Sequence, residues 1–358
     1  MARGLDPLTN LEERNLFERI PAPLLSWYEA NKRDLPWRKN PTPYEVWVSE
    51  IMLQQTRVEA VREYYTRFIA ALPSVEALAA CEEEKLLKLW EGLGYYSRVR
   101  NMQKAAKTIV IEYGGKFPEE IETLKTLAGI GSYTAGAIAS IAFGKATAAV
   151  DGNVFRVIAR LTENSTVISD LKYRKYLETE LSKIYPKGRE SQFTQSLFEL
   201  GALVCKPLSP ACERCPLAKL CKANENGSQR LFPVLPVKKA KREQDVFVFL
   251  IETKEGFCIR RRESGVLKGM NEFPSHVSYG ESEKEVLNGW GVYAFTEKKR
   301  QKFTHIFTHI KWNITCVWVE ADGAPFDTYH LEEIEADISL PTAFKQCLKM
   351  IEKDKIGE

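Results

Sequence analysis

The chain has 358 residues, enough for two cores and long for one. Hydrophobic residues make up 44% and charged residues 28%, an ordinary globular balance that excludes a disordered or fibrous protein. A net charge of +3 permits a polyanionic partner without demanding one. No apolar run reaches the length of a signal peptide core or a membrane span, so a cytoplasmic protein with no membrane partner is expected. In that setting eight cysteines read as reduced thiols or metal ligands rather than disulfides.

In chain order, residues 11 to about 230 read as almost entirely helical. Val48, Ile51, Met52, Val58, Val61, Tyr65 and Phe68 recur at mostly helical steps. Leu177, Leu181 and Ile184 do the same behind Asp170, a predicted N-cap. The character changes at residue 231. PVLPVKKAKREQ carries two prolines with Lys238, Lys239, Lys241 and Arg242, and reads as a linker over 231–244. DVFVFLIETKEGFCIRRR predicts two strands about a turn at Lys254-Glu255-Gly256, and HIKWNITCVWVE predicts another. PTAFKQCLKMIEK closes as an amphipathic helix with Phe344, Cys347, Leu348 and Ile351 on one side. The expected organisation is an all-α domain over 1–230, the linker, and an α/β domain over 245–358.

Four stretches carry chemistry. CKPLSPACERCPLAKLC places Cys205, Cys212, Cys215 and Cys221 within seventeen residues, with gaps of six, two and five. Four thiolates so close can enclose zinc or an iron–sulfur cluster. The remaining four, Cys81, Cys258, Cys316 and Cys347, stand in apolar contexts and read as core residues. LAGIGSYTAGAIAS pairs a Gly-x-Gly turn with a small-residue helix. Gly129 and Gly131 can take backbone angles closed to other residues, and the amides at the next helix start could face a phosphate. Finally, two acids stand in apolar runs: Glu50 in VWVSEIML and Asp151 in ATAAVDGNVF. Burial raises a carboxyl pKa, and a raised pKa suits a general acid at neutral pH. Each acid also has a plainer reading: Glu50 as a solvated or ion-paired residue, Asp151 as a helix N-cap.

Taken together, the Gly-x-Gly hairpin, Asp151 and the six-two-five cysteine spacing resemble the endonuclease III family of DNA glycosylases. VWVSEIMLQQT resembles its MutY-type adenine DNA glycosylases closely. The resemblance covers roughly residues 15 to 350. It implies an all-α helix-hairpin-helix glycosylase domain followed by a MutT-like (Nudix-like) domain, and it favours a 4Fe-4S cluster over zinc. The family's usual proline is Ala128 here.

The resemblance also assigns roles. Glu50 falls on the catalytic glutamate that protonates the leaving adenine. Asp151 falls on the carboxylate that stabilises the oxocarbenium-like sugar, with Asn153 and Tyr133 holding the site. Whether the course is retaining, through a transient bond to Asp151, stays open. Endonuclease III-type enzymes carry a lysine nucleophile where this chain has Tyr133. A phenol forms no imine, so a monofunctional, hydrolytic glycosylase follows. Arg38 and Gln195 fall where the family contacts the flipped adenine, and Trp37 lines that pocket. Gln55 matches an intercalating glutamine beside Gln54, and Tyr95 a stacking tyrosine beside Leu93. Such wedges are a physical need when a base must leave the stack. Arg98, Arg100 and Lys104 are candidate phosphate contacts or a solvated basic face.

In the second domain KGMNEFP and HIFTHIKW bear the resemblance, yet the glutamate-rich REx2EE pattern of a Nudix hydrolase is missing, so no nucleotide hydrolysis is expected. Phe307-Thr308-His309 matches the loop that reads 8-oxoguanine, with threonine for the family's serine, and is preferred to the nearby Phe303-Thr304-His305. The implied partner is duplex DNA with adenine opposite 8-oxoguanine or guanine, bound by a monomer that would work on the bacterial nucleoid. A monovalent cation on the hairpin carbonyls is a further expectation. The alternatives are a pyrimidine glycosylase of endonuclease III type and an iron–sulfur protein that scans DNA without catalysis.

Overall fold

The computed structural model describes residues 7–237 and 240–356; Lys238 and Lys239 of the expected linker lie outside the described residues. The chain divides into two compact units. One holds the chain up to Ala80 together with Arg100–Val237; the other joins Cys81–Val99 to the chain after residue 237.

The first unit is helical throughout. The helix Gly152–Thr162 lies in its core, with Val154, Phe155, Val157, Ile158, Ala159 and Leu161 all buried. Its polar side, Arg156 and Arg160, is buried as well, so other elements enclose the helix all round. Pro21–Asn31 and Glu190–Leu203 pack around it through Leu24, Leu25, Phe193, Leu197 and Leu200. Asp170 caps the helix Leu171–Ser182 by accepting from Tyr173 N at 2.8 Å, as its position before the periodic run predicts. The first half of the expected linker stays with this unit. Phe232 packs on its core, and Val234 bridges to Val167 with Ile168 N donating to Val234 O at 3.0 Å.

The second unit is a seven-stranded mixed sheet flanked by helices: β1 Arg242–Thr253, β2 Gly256–Arg261, β3 Asn271–Glu272, β4 Ser275–Val277, β5 Phe295–Ile306, β6 Ile310–Ala321 and β7 Asp327–Tyr329. The main order is β3-β2-β1-β6-β5, with β4 beside β1 and β7 beside β2. β1 and β6 run parallel over eleven paired positions, Arg242↔Ile310 to Glu252↔Glu320, at the centre of the sheet. Strand β5 forms a long antiparallel hairpin with β6. The C-terminal helix Thr342–Ile356 covers one face, burying Phe344, Cys347, Leu348 and Ile351 against Val248, Trp312 and Cys316. Of the four scattered cysteines three are buried, but Cys81 is half-exposed, because it ends a short helix and faces the surface.

The helix Glu83–Leu89, although early in sequence, is held by C-terminal residues. Lys88 Nζ donates to Glu335 O and Ile338 O at 2.7 and 3.0 Å, Ser339 Oγ donates to Leu87 O at 3.2 Å, and Leu340 N donates to Glu91 Oε1 at 2.8 Å. Among the described residues no helix is long and apolar enough to cross a membrane.

Candidate active site and cysteine loop

Glu50 lies on the helix Pro43–Leu53, which starts at an N-cap, Thr42, whose side chain accepts from Glu45 N. Every residue from Val46 to Met52 on this helix is buried, so the Glu50 carboxyl, 5% exposed, has little water to solvate a charge. Burial pushes its pKa from 4.5 up to about 7, and the charge of Asp151 pushes the same way; the Tyr133 hydroxyl, donating to Oε2, and the Arg38 guanidinium pull against them.

Asp151 is the N-cap of Gly152–Thr162, with Oδ1 accepting from Val154 N at 2.8 Å. Its second oxygen accepts from Asn153 Nδ2 at 2.7 Å. Burial raises its pKa as well, though these hydrogen bonds oppose the rise. The cap and the charge therefore coexist: one oxygen satisfies the helix terminus, and the carboxylate still borders the cavity. Asn153 is held in turn, because Arg156 donates to its Oδ1 at 2.8 Å and to Gly201 O at 2.9 Å. Gly201 is required by proximity, since a Cβ there would meet Asn153 Cβ at 2.6 Å.

Glu50, Asp151, Asn153 and Tyr133 line one open cavity of about 170 Å³ with Trp37, Arg38, Gln195 and Leu53. A cavity of about 150 Å³ takes benzene, so this one has the scale of a single heteroaromatic base. Trp37 is buried on the turn Pro36–Arg38, edge-on to Tyr65. Gln195 accepts from the Tyr28 hydroxyl at 3.2 Å and donates to Ser191 Oγ at 3.1 Å. The charged lining residues Glu199 and Arg33 escaped the sequence reading. Glu199, 1% exposed, accepts from Arg33 Nε at 2.8 Å and from Arg38 NH2 at 2.9 Å. Burial resists its charge, but the two guanidiniums outweigh it and hold its pKa near about 2. The signal was available: Glu199 is an acid inside the apolar run SLFELGAL, the same feature that singles out Glu50.

The hairpin follows the expected form with one correction. Gly129 has φ +78, a left-handed turn that favours glycine. Gly131 is extended at φ −91 and ψ −177, a conformation open to any residue, because it serves as the N-cap of Ser132–Ala137. That helix continues as a π turn over Ile138–Ala142. Gln55, next to the half-buried Gln54, is exposed with φ +59, a left-handed backbone at a non-glycine residue.

Arg98 does not stand on a solvated basic face. It donates to Leu93 O and Gly94 O, both at 3.2 Å, and lies over the rings of Trp90 and Tyr95. Leu93 is buried in this loop and Tyr95 is exposed. Arg100 is half-buried and Lys104 exposed along the same helix, Ser97–Tyr113. Phe307, Thr308 and His309 form the exposed turn between β5 and β6, with the Phe307 ring against Trp312. The rival triplet, Phe303-Thr304-His305, is fixed within β5 opposite Trp312, Asn313 and Ile314.

Cys205, Cys212, Cys215 and Cys221 line one small cavity together with Arg160, Asn224 and Gln229. Burial pushes the Cys215 thiol up to about 12, and the neighbouring Cys205, Cys221 and Cys212 sulfurs add to it. Arg160 donates to Cys205 Sγ at 3.3 Å and to the carbonyls of Lys206 and Pro207, both at 2.8 Å. Among the described residues no three His, Cys, Asp or Glu side chains close on a single-ion site. Four cysteines around one cavity, with a guanidinium donating to one sulfur, are a donor set suited to a thiolate-held metal group of net negative charge.

Residues 48–187 match the model of the HhH-GPD superfamily of base excision DNA repair proteins, and residues 246–350 match a NUDIX domain. The adenine DNA glycosylase of Mus musculus is 33% identical over 93% of this chain and 78% of its own length. The chain belongs to the adenine DNA glycosylases. It is therefore a base-excision glycosylase, a hydrolase of N-glycosidic bonds, with a helix-hairpin-helix domain and a Nudix-like domain. The adenine DNA glycosylase of Homo sapiens is 35% identical over 80% of the chain, which spans only 64% of that protein. A solved thermostable thymine-DNA glycosylase matches 61% of this adenine glycosylase and 99% of its own chain at 28% identity, with a TM-score of 0.54.

Proposed function

We propose that this glycosylase removes adenine from duplex DNA where it faces 8-oxoguanine or guanine, by flipping the adenine into the cavity beside Trp37, Arg38 and Gln195. The observation that carries the reading is a pair of acids on one cavity, Glu50 buried and Asp151 half-buried, with Glu50 raised to about 7. At neutral pH part of the Glu50 population holds a proton to give to the base nitrogen. Cleavage then leaves an oxocarbenium-like sugar, which the Asp151 carboxylate stabilises through space. Asn153 and Arg156 hold that carboxylate in place. Deprotonated Glu50 can then take a proton from the water that adds to the sugar. Tyr133 lines the cavity where an amine nucleophile would be needed for strand cleavage, and among the described residues no lysine lines it, which favours hydrolysis alone.

Gly129 and Gly131 would bring hairpin amides to a phosphate, and the hairpin carbonyls could hold a monovalent cation. Gln54, Gln55, Leu93 and Tyr95 would fill the space left by the flipped base; Phe307, Thr308 and His309 would read the opposite base. Cys205, Cys212, Cys215 and Cys221 would hold a 4Fe-4S cluster, which when bound would brace the 205–221 loop against Gly152–Thr162. The protein would act as a monomer in the cytoplasm, where its thiols stay reduced.

The test is incubation with duplexes holding adenine opposite 8-oxoguanine or guanine, or an oxidised pyrimidine, followed by alkali. Breaks at adenine only after alkali are expected. Breaks at the pyrimidine without alkali would overturn the reading.

A further inference from the structure

Gln195 lines the cavity, and Tyr28 stands behind it. Tyr28 belongs to the helix Pro21–Asn31 and is 3% exposed, so its hydroxyl needs a partner inside the protein. Among the described residues that partner is Gln195, whose Oε1 accepts from it at 3.2 Å. The other end of the same amide is held as well. Gln195 Nε2 donates at 3.1 Å to the hydroxyl of Ser191, one turn back on Glu190–Leu203. Two helices thus grip one amide. The Tyr28 ring also carries the Arg38 guanidinium, 5.8 Å from its centroid. Burial raises the phenol pKa against the pull of Arg38, and the Glu199 charge adds to the rise, so the hydroxyl keeps its proton.

We propose that Tyr28 is a specificity-determining residue, holding the Gln195 amide so that it accepts a 6-aminopurine and refuses a 6-oxopurine; this rests on the reading above that the flipped adenine enters this cavity. The two ends of a glutamine amide have nearly the same shape, so hydrogen bonds must set its orientation. A phenol donates well and accepts poorly, because its oxygen shares electrons with the ring. The carbonyl end therefore faces Tyr28, and the NH2 end falls to Ser191. A reversed amide would leave the buried phenol proton without an acceptor, which is costly. In the set orientation one lone pair of Oε1 and one proton of Nε2 remain for the base. Adenine matches them, with its N6 amine donating and the ring nitrogen beside it accepting. Guanine and hypoxanthine carry an accepting oxygen on C6 instead. That oxygen would oppose Gln195 Oε1, and only a reversed amide could serve it. Tyr28 is thus a positioning residue that acts through Gln195.

The experiment measures single-turnover excision from two duplexes that differ only in adenine or hypoxanthine opposite 8-oxoguanine. Wild type is compared with Tyr28→Phe, Gln195→Leu and the double variant. Tyr28→Phe keeps the ring beneath Arg38 and should cut the preference for adenine by about three- to ten-fold, the range of one net hydrogen bond. Hypoxanthine excision should rise, which a loss of packing alone would not produce. The double variant should lose no more preference than Gln195→Leu. An unchanged ratio in Tyr28→Phe, equal slowing on both duplexes, or effects that multiply in the double variant would overturn the proposal. Wild-type rates and preference in Gln195→Leu would refute the reading of the cavity itself. A defect in Gln195→Leu beside an unchanged ratio in Tyr28→Phe would refute the role of Tyr28 alone.

Discussion

Replacing Tyr133 by phenylalanine should move the pH dependence of excision in a direction that the geometry fixes. Two effects raise the Glu50 carboxyl, burial and the Asp151 charge, and the Tyr133 hydroxyl opposes them by donating to the ionised form. The net rise from 4.5 to about 7 corresponds to about 3 kcal/mol in favour of the neutral acid. A hydrogen bond to an ionised group is worth about 1.5–3 kcal/mol, or about one to two pKa units. Deleting the hydroxyl removes a restraint on the rise. The alkaline limb of the single-turnover rate profile should therefore move from about 7 to about 8–9, even if the maximal rate falls. The acid limb, set by Asp151, should lie above the ordinary carboxylate range in both proteins, because burial raises that group too. The assay is adenine excision with enzyme in excess, from pH 5 to 10. An alkaline limb that stays put or moves down in the variant would refute the reasoning, since Tyr133 would then not be stabilising the Glu50 carboxylate.

The same buried acid should show in folding. Its folded pKa exceeds its unfolded one, so its contribution is fully present below about 4.5 and is lost as pH rises through about 7; urea unfolding of Glu50→Gln should show a flatter stability profile than wild type across that window. Asp151→Asn can still accept from Val154 N and should lose excision with little change in stability, whereas Asp151→Ala should also lose about 1 kcal/mol of cap energy. Equal activity of Asp151→Asn and wild type would leave only the capping role. Gly201→Ala should press on Asn153 and cost about 1–3 kcal/mol, with excision falling alongside; an unaltered Tm would contradict the close approach. Elemental analysis should find iron with sulfide, about four of each per chain, and Cys215→Ser should lose them; one zinc per chain would reject the cluster.

The helical unit was legible because burial on helices leaves a 3.6-residue period, and the cap at Asp170 and the four-cysteine loop are local features of sequence. Strand β5 was not anticipated, since FTEKKRQKFTHI alternates poorly; it is an edge strand with Lys298, Arg300 and Lys302 exposed, as edge strands use charge against unwanted pairing. Glu50 and Asp151 stood out as lone acids in apolar runs, but the pairing of buried Glu199 with Arg33 and Arg38 is non-local, with partners 166 and 161 residues apart. Arg98 was read from its charge, and only the fold shows that a loop occupies it. Gly131 was credited with a freedom that its extended backbone does not use.

The helix Glu83–Leu89 has a consequence for how the protein is made. Leu87 leaves the ribosome 252 residues before Ser339, the residue whose hydroxyl it receives. At about 5–20 residues per second, that is a wait of roughly 12 to 50 seconds. The helical unit can therefore assemble on the nascent chain, but the Cys81–Val99 excursion stays without its seat until the residues through Leu340 have been made. For the same reason, cutting the chain near residue 237 would not yield a clean catalytic fragment. It would strand a segment whose seat is built by residues some 250 positions further along the chain.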